Sequence, residues 1–284
     1  MKRICAVLLA LLTLAVLTAG CAKRDDQTAT DAAEQLRVTF IDVGKGDCIL
    51  LEKDGVFALI DAGYEDTSDD VISFLKKQGV ETLDAFIVTH YDKDHVGGAA
   101  AVAQAFAVKQ CYLPGYTGHS KYYTALMKAI VERDLTYRQV TEDVSFTLSD
   151  VTVDIFASSV EYVYDGTEEG NDNDASLVIS AVYGQDSYLF AGDLEKAGVS
   201  AFLAADRGTY DVVKMPHHGN AKKNTDDFIE AVRPKIAVIT DGADDPAEEK
   251  TLNLLAQAGA KTYRTAEIGT ITVISEGSGT YTVN

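Results

Sequence analysis

The sequence of 284 residues predicts an α/β protein, a single four-layer αββα sandwich. Apolar, β-branched segments alternate with amphipathic helical segments along most of the chain. Two of the predicted strands end directly in polar clusters, at residues 90–95 and 217–218. No repeat of fixed period occurs, but two similar αβ halves account for the alternation. Each half would deliver polar side chains from its strand ends to one shared cleft.

Residues 1–20 differ from the rest of the chain. Lys2 and Arg3 precede an uncharged run rich in Leu, Ala and Val, which predicts a secretory signal peptide rather than a membrane span. Cys21 follows Ala-Gly as in a bacterial lipoprotein, so we expect its thiol to carry lipid. Thr18 stands where such sites usually have leucine, which leaves release of a soluble secreted protein as the alternative.

The expected organisation is therefore a lipid-anchored protein on the extracytoplasmic face of the cell membrane. Residues 1–20 form the signal peptide, and residues 21–35 form the lipidated cysteine and a polar, flexible tether. Residues 36–284 form the folded domain. Cys48 and Cys111 remain inside it, either as a disulfide, which export permits, or as two buried thiols.

The formal net charge of −19 limits the range of partners. Nucleic-acid binding without sequence preference depends on Lys and Arg displacing counterions, so this acidity argues against a processive nuclease. It does not exclude small phosphoesters as substrates, because the charge at the site matters more than the average. The sequence indicates no protein partner.

The first half begins with a strand from Leu36 to Val43, followed by a glycine-containing turn in which Asp42 and Asp47 are expected to form the turn rather than act in catalysis. The further elements predicted are strands at residues 48–52, 56–60 and 83–89 and helices at residues 68–77 and 98–107.

The second half begins after a less informative region, in which a helix is predicted at residues 122–133 and His119 lies either in a cleft or, as we favour, on the surface. The loop at residues 170–176 precedes strands at 177–182 and 188–191. A strand from Val212 leads to the paired histidines, and strands at 236–240 and 268–273 follow.

The loop after the strand at residues 83–89 carries four potential metal ligands, His90, Asp92, Asp94 and His95, before two glycines. Imidazole and carboxylate together suit a first-row divalent metal. The alternative is a helix start capped by Asp94, but a cap does not need two histidines.

This pattern resembles the metal-binding signature of the metallo-β-lactamase fold, in the variant found in the extracellular domain of the competence DNA-uptake protein ComEC, where Asp replaces the second His. The resemblance extends from about Arg37 to the C-terminus. Gly192-Asp193 is similar to the fold's metal-bridging carboxylate, with a helix N-cap as the alternative. Residues 214–219 are similar to the final ligand motif of that group, although Asn220 stands where serine is usual.

The resemblance implies two divalent ions, Zn²⁺ or Mn²⁺, held by His90, Asp92, Asp94, His95, Asp193 and His218. Adjacent side chains on an extended chain point to opposite sides, so only one of His217 and His218 should bind metal directly, and His218 is favoured by analogy with related motifs. Asp94, His217 and Lys214 are the candidate catalytic residues. Four further side chains are expected to support the metal ligands or to contact substrate, and the alternative is that they only form turns. They are Asp61, Asp172, Asn173 and Ser176.

The function implied is an exported dinuclear hydrolase that cleaves phosphodiester bonds, in DNA or in small diesters, with a hydroxide bridging the metals as nucleophile. Cleavage of envelope phosphodiesters such as phosphocholine esters is an alternative enzyme activity. β-Lactam hydrolysis is disfavoured because the fold's third metal-binding histidine is absent. A non-catalytic surface lipoprotein that binds metal is the alternative from another functional class.

Overall fold

Two β-sheets pack face to face, and helices cover the outer face of each. The computed structural model describes residues 35–166 and 170–284. The predicted signal peptide, Cys21 and all but the last residue of the tether lie outside the described residues. Among the residues described, no helix combines the length and apolar character needed to span a membrane.

The first sheet combines strands from the N-terminal half with the two strands at the C-terminus. In chain order they are β1 (Leu36–Phe40), β2 (Ile49–Lys53), β3 (Val56–Ile60), β5 (Ala85–Ile87), β7 (Cys111–Pro114), β8 (Tyr137–Val140), β16 (Ile271–Ser275) and β17 (Tyr281–Val283). They lie in the order β17-β16-β1-β2-β3-β5-β7-β8. The segments β4 (Thr82–Leu83) and β6 (Ala107–Val108) form a separate parallel pair.

The second sheet comes from the C-terminal half. Its strands are β9 (Val144–Leu148), β10 (Val151–Phe156), β11 (Val178–Tyr183), β12 (Asp186–Phe190), β13 (Val212–Lys214), β14 (Ile236–Ile239) and β15 (Lys261–Arg264). They lie in the order β15-β14-β13-β12-β11-β10-β9, and β12 to β15 run parallel. Parallel strands deliver their carboxyl ends to one edge of the sheet, which is where loops can share a site.

The helices form two outer layers. They are α1 (Ser68–Lys77), α2 (Lys93–Val96), α3 (Ala99–Ala105), α4 (Lys121–Glu132), α5 (Lys196–Ala204), α6 (Thr225–Val232), α7 (Glu249–Ala258) and α8 (Thr265–Ile268). Helices α1, α3 and α4 bury Val71, Val102 and Leu126 against the first sheet. Helices α5 and α6 bury Val199 and Phe228 against the second. A third apolar core fills the space between the sheets, so the predicted four-layer αββα architecture is confirmed.

Several predicted boundaries differ from the observed ones, among them the ends of the strands predicted at residues 36–43 and 268–273, and tertiary contacts explain two more. The helix predicted at residues 98–107 ends at Ala105 because Phe106 is extended and buried, and the next two residues pair with β4. The strand predicted at residues 83–89 is divided between β4 and β5. At the break, the N–H of Asp84 donates to the carbonyl oxygen of Phe57.

A buried ion pair holds the loop after β14. The Asp241 side chain is fully buried and accepts hydrogen bonds from Arg264 Nε (2.8 Å) and from the backbone N–H of Ala247 (2.8 Å). A buried carboxylate is tolerated only while it is paired and hydrogen-bonded. The Asp241–Arg264 pair therefore stabilises the loop after β14, which begins with Thr240.

We predict that Arg264→Met lowers the free energy of unfolding by about 3–5 kcal/mol, because it leaves Asp241 buried without a counter-ion. The measurement is denaturant unfolding followed by circular dichroism. The control is Lys109→Met, which removes an exposed ion pair with Asp84 and should cost less than about 1 kcal/mol. Equal losses in the two variants would contradict the prediction.

Candidate metal centre

Side chains from both halves of the chain meet at the carboxyl ends of the strands. His218 Nε2 lies 3.0 Å from Asp193 Oδ2 and 3.3 Å from Asp94 Oδ2. His95 Nε2 lies 3.3 Å from Asp193 Oδ1 and 3.3 Å from His218 Nε2. One ligand atom from each of these four residues lies within 4.8 Å of all the others. Two imidazoles and two carboxylates with converging atoms could hold a divalent metal ion.

His90 and Asp92 lie beside this cluster. The His90 ring is 4.0 Å from the His95 ring, between centroids, and its Nε2 is 3.8 Å from Asp92 Oδ2. His90 is fully buried, and its Nε2 has no hydrogen-bond partner within the described part of the chain. A buried nitrogen without a partner is costly. A metal ion bound beside the cluster would satisfy this nitrogen, so His90 fits a role as a metal ligand.

The paired histidines reach different surroundings. His218 is buried in the cluster, whereas the His217 side chain is 16% exposed, with Nδ1 3.1 Å from Glu195 Oε1 and Nε2 4.0 Å from Asp193 Oδ2. The reason we gave from an extended backbone is wrong. Both residues have left-handed backbones, with φ of 46° and 52°, inside the turn Pro216–Gly219. The turn, rather than strand alternation, separates the two rings.

Asp61 supports the first ligand loop from behind. Its carboxylate accepts from the Thr89 N–H (2.8 Å) and the Thr89 hydroxyl (2.7 Å) and lies 2.8 Å from His95 Nδ1. A carboxylate on one ring nitrogen fixes the tautomer and leaves the other nitrogen available to a metal. Thr89 carries no signal in the sequence, because nothing distinguishes it from other threonines at the end of a strand.

Asp47 and Lys214 form a second support. Lys214 Nζ lies 2.6 Å from Asp47 Oδ2 and 3.1 Å from Asp193 Oδ1, and all three side chains are buried. Lys214 is fully buried behind Asp193, so its contacts support a role in positioning Asp193, which differs from the catalytic role expected from the sequence. Asp47, which we expected only to form a turn, is also part of this network.

Thr240 connects Asp47 to the other ligand loop. Its hydroxyl donates to Asp47 Oδ1 (2.6 Å) and lies 3.2 Å from His218 Nδ1. The hydroxyl can therefore accept from His218 Nδ1–H, which leaves His218 Nε2 facing Asp193 and Asp94. No sequence signal identified this contact, because Asp47 and Thr240 are 193 positions apart.

The remaining predicted residues lie around the cluster rather than in it. The Ser176 hydroxyl accepts from the backbone N–H of Asp193 (3.3 Å). Asn173 lies against Glu195, and Asp172 lies against Tyr116. Asp193 does not cap a helix, since α5 begins at Lys196. Cys48 and Cys111 are both free thiols and are buried.

The histidines differ in their protonation. Burial by itself lowers the pKa of His95 and of His218, but the Asp193 carboxylate and its neighbours outweigh burial and raise both values. The pKa of His90 is well below its usual range because of burial and of the nearby His95. Burial alone would raise the pKa of Asp193, yet His218, His95 and Lys214 lower it well below its usual range.

We predict that Asp61→Asn weakens metal binding roughly 10- to 100-fold, because the amide cannot hold His95 as a carboxylate does. The measurement is titration calorimetry with Mn²⁺ or Zn²⁺, with circular dichroism to show that the fold is retained. Asp42→Asn is the matched control, since Asp42 is exposed and accepts from the N–H of Gly44. Equal affinities for Asp61→Asn and wild type would refute this role.

We also predict that metal binding weakens as the pH falls and releases protons. A raised pKa means that His95 and His218 keep their protons to a higher pH than the ordinary histidine value of about 6.5, and a protonated nitrogen cannot bind metal. Calorimetry in two buffers of different ionisation enthalpy counts the protons released. A metal affinity that does not change as the pH is lowered through the histidine pKa values would contradict the prediction.

Curated proteins similar to most of this chain include three from bacteria. ComE operon protein 3 of Bacillus subtilis (strain 168) is 26% identical over 257 residues, 82% of this chain and 32% of that protein. Recombination protein 2 of Haemophilus influenzae is 26% identical over 215 residues, 74% of this chain and 25% of that protein. Competence protein ComA of Neisseria gonorrhoeae is 25% identical over 237 residues, 80% of this chain and 30% of that protein.

These relatives confirm the predicted resemblance to the ComEC group of competence proteins. The chain spans a third or less of the length of each relative, so the activities of those whole proteins do not transfer with the alignment.

Solved structures with the same fold include the metallo-beta-lactamase fold protein YhfI from Bacillus subtilis, with a TM-score of 0.53 and 12% identity, covering 81% of this chain and 95% of that one. Tm1679, described as a metal-dependent hydrolase of the beta-lactamase superfamily, gives a TM-score of 0.53 and 13% identity, with the same coverage of 81% and 95%. At these identities the likeness shows the fold alone.

The family model described as the metallo-beta-lactamase superfamily matches residues 41–240, which run from the end of β1 past the end of β14. The chain belongs to the metallo-beta-lactamase superfamily.

Proposed function

We propose that this protein is an exported, membrane-tethered, metal-dependent hydrolase that cleaves phosphodiester bonds. The observation that carries the proposal is the convergence of Asp94, His95, Asp193 and His218 within 4.8 Å beside His90. The tether rests on the sequence before residue 35 alone.

His95, Asp94, Asp193 and His218 would hold one ion, and His90 and Asp92, with Asp193 shared, would hold the other. Two such ions lower the pKa of water towards neutrality and stabilise negative charge on a phosphoryl group. The chain then needs no nucleophile of its own. Asp61 and Thr240 orient the rings of His95 and His218, and Lys214 and Asp47 hold Asp193 in place.

The net charge of the whole centre attracts an anionic substrate less strongly than the net charge of the ions and their ligands alone would. Asp92, Asp94 and Asp193 against two divalent ions would leave a net charge of about +1. Within the described residues, Asp47 and Asp61 add two further carboxylates and Lys214 adds one cation. If all are ionised, the centre is close to neutral. Binding of a diester would then depend more on contacts to phosphoryl oxygens than on long-range attraction.

His217 is our candidate for such a contact. It is the partly exposed member of the histidine pair, and its Nε2 lies 4.0 Å from Asp193 while Nδ1 faces Glu195. Lys222 Nζ lies 2.7 Å from the same Glu195 oxygen. We infer that His217 donates a hydrogen bond to a phosphoryl oxygen or a proton to the leaving group.

One observation favours small diesters with a cationic headgroup, such as phosphocholine esters, as a second candidate. A run of aromatic rings extends from Tyr91, next to His90, to the surface. Tyr91 contacts Tyr116 (5.1 Å between ring centroids), Tyr116 stacks on Tyr162 (4.2 Å), and the exposed Tyr164 stacks on His119 (3.9 Å). Aromatic faces bind quaternary ammonium groups, and the acidic chain would favour a cation over DNA.

The test is hydrolysis by residues 35–284, which contain every described strand of both sheets. With Mn²⁺ or Zn²⁺ the protein is assayed against bis-(p-nitrophenyl) phosphate, phosphocholine esters, cyclic dinucleotides and DNA. We expect turnover of at least one diester, and we expect Asp94→Ala to lower kcat/KM by at least roughly a hundredfold, since it removes a proposed ligand.

Glu142→Gln is the control, because Glu142 is exposed and pairs with Arg138 on the surface. Equal turnover by wild type and Asp94→Ala would remove the hydrolase proposal. Turnover of small diesters without DNA would remove the nuclease form of it.

A further inference from the structure

Lys214 occupies an unusual place for a lysine. Its side chain is fully buried, and its ammonium donates to Gly192 O (2.9 Å), Asp193 Oδ1 (3.1 Å) and, as an ion pair, Asp47 Oδ2 (2.6 Å). An ammonium has three donors, and all three have acceptors here. Since Lys214 ends β13, Asp47 precedes β2 and Asp193 follows β12, this one group connects the two sheets at the metal centre.

The ammonium acts directly on a proposed metal ligand. Asp193 Oδ1 lies near both Lys214 Nζ (3.1 Å) and His95 Nε2 (3.3 Å), whereas Oδ2 lies near His218 Nε2 (3.0 Å). The lysine therefore supplies Asp193 with a buried positive neighbour. A divalent ion bound by the same carboxylate would meet that charge at close range, and like charges repel strongly in a buried site.

We propose that Lys214 is an internal counter-ion that keeps the centre assembled when no metal is bound and, through the same charge, limits the affinity for metal. The inference rests on metal binding as part of the proposed function, but not on any substrate. It has two consequences of opposite sign. Loss of the charge destabilises the metal-free protein, because Asp47 and Asp193 remain buried together without a cation. It also strengthens metal binding, because a repulsive charge is gone.

A residue that only orients a ligand would behave differently. Thr240 reaches the same Asp47 through its hydroxyl (2.6 Å) and lies 3.2 Å from His218 Nδ1. Thr240→Val removes this connection without changing the charge of the centre. We expect it to weaken metal binding, and we expect Thr240→Ser, which keeps the hydroxyl, to restore it.

The experiment compares wild type, Lys214→Met, Thr240→Val and Thr240→Ser. Each protein is stripped of metal, its thermal unfolding is followed by circular dichroism, and it is titrated with Mn²⁺ and with Zn²⁺ by calorimetry. For Lys214→Met we expect a lower unfolding temperature without metal and an affinity about tenfold higher than wild type, from the loss of one nearby charge. For Thr240→Val we expect an affinity roughly tenfold or more below wild type.

Should metal-free Lys214→Met fail to fold, the double variant Asp47→Asn/Lys214→Met takes its place. It removes both partners of the ion pair, so no Asp47 carboxylate is left without a counter-ion. A smaller rise in affinity is expected of it, because Asp47→Asn removes a negative charge near the metal together with the positive one. A folded variant lacking Lys214 that binds metal no more tightly than wild type would overturn this inference alone. Wild-type protein that binds neither metal would overturn the proposed function and this inference with it.

Discussion

The centre depends on the buried contacts of one carboxylate, Asp193, with His95, His218 and Lys214. These groups lie at or after the ends of strands of both sheets, and each would be costly to bury alone. Together they compensate one another, because every charge has an opposite charge or a hydrogen-bond partner within about 3 Å. The centre is therefore complete only when the two sheets are packed together, because burying either the carboxylate or the ammonium without its partners would be costly.

Strained backbone at the site is held in place by this assembly. Asp61, His217 and His218 have left-handed φ values of 56°, 46° and 52°, a conformation that costs a non-glycine residue on the order of 1–3 kcal/mol. Backbone hydrogen bonds from Asp61 N to Ile87 O (2.8 Å) and from His217 N to Gly192 O (3.2 Å) tie these residues to neighbouring strand ends. Gly46 allows the loops to approach, since a Cβ there would lie 2.6 Å from Asp94 O. The rigid sandwich supplies the energy that keeps the loops in this form.

Much of the fold was predictable because it depends on local pattern. Alternating apolar segments identified the strands, and the density of histidine and aspartate at residues 90–95 identified the loop that the structure places at the centre. Lys214 shows the limit of prediction from local sequence pattern. Its motif singled it out, but a motif does not reveal whether a lysine faces a cleft or the interior, and burial behind Asp193 changes what it can do. Asp47 was missed for the converse reason, since an aspartate that follows a glycine in a short loop is common in turns.

The sequence by itself determined the order of strands and helices along the chain. It also determined which segments are apolar enough to be buried and which short segments could offer metal ligands. Only the tertiary structure decided which of those ligands meet, that Asp61 and Thr240 each orient a histidine, and that an ammonium lies against Asp193. The physical reason is range. Strand and helix periodicities act between residues a few positions apart, whereas Asp47 and Thr240 are separated by 193 positions and meet only because two sheets pack together.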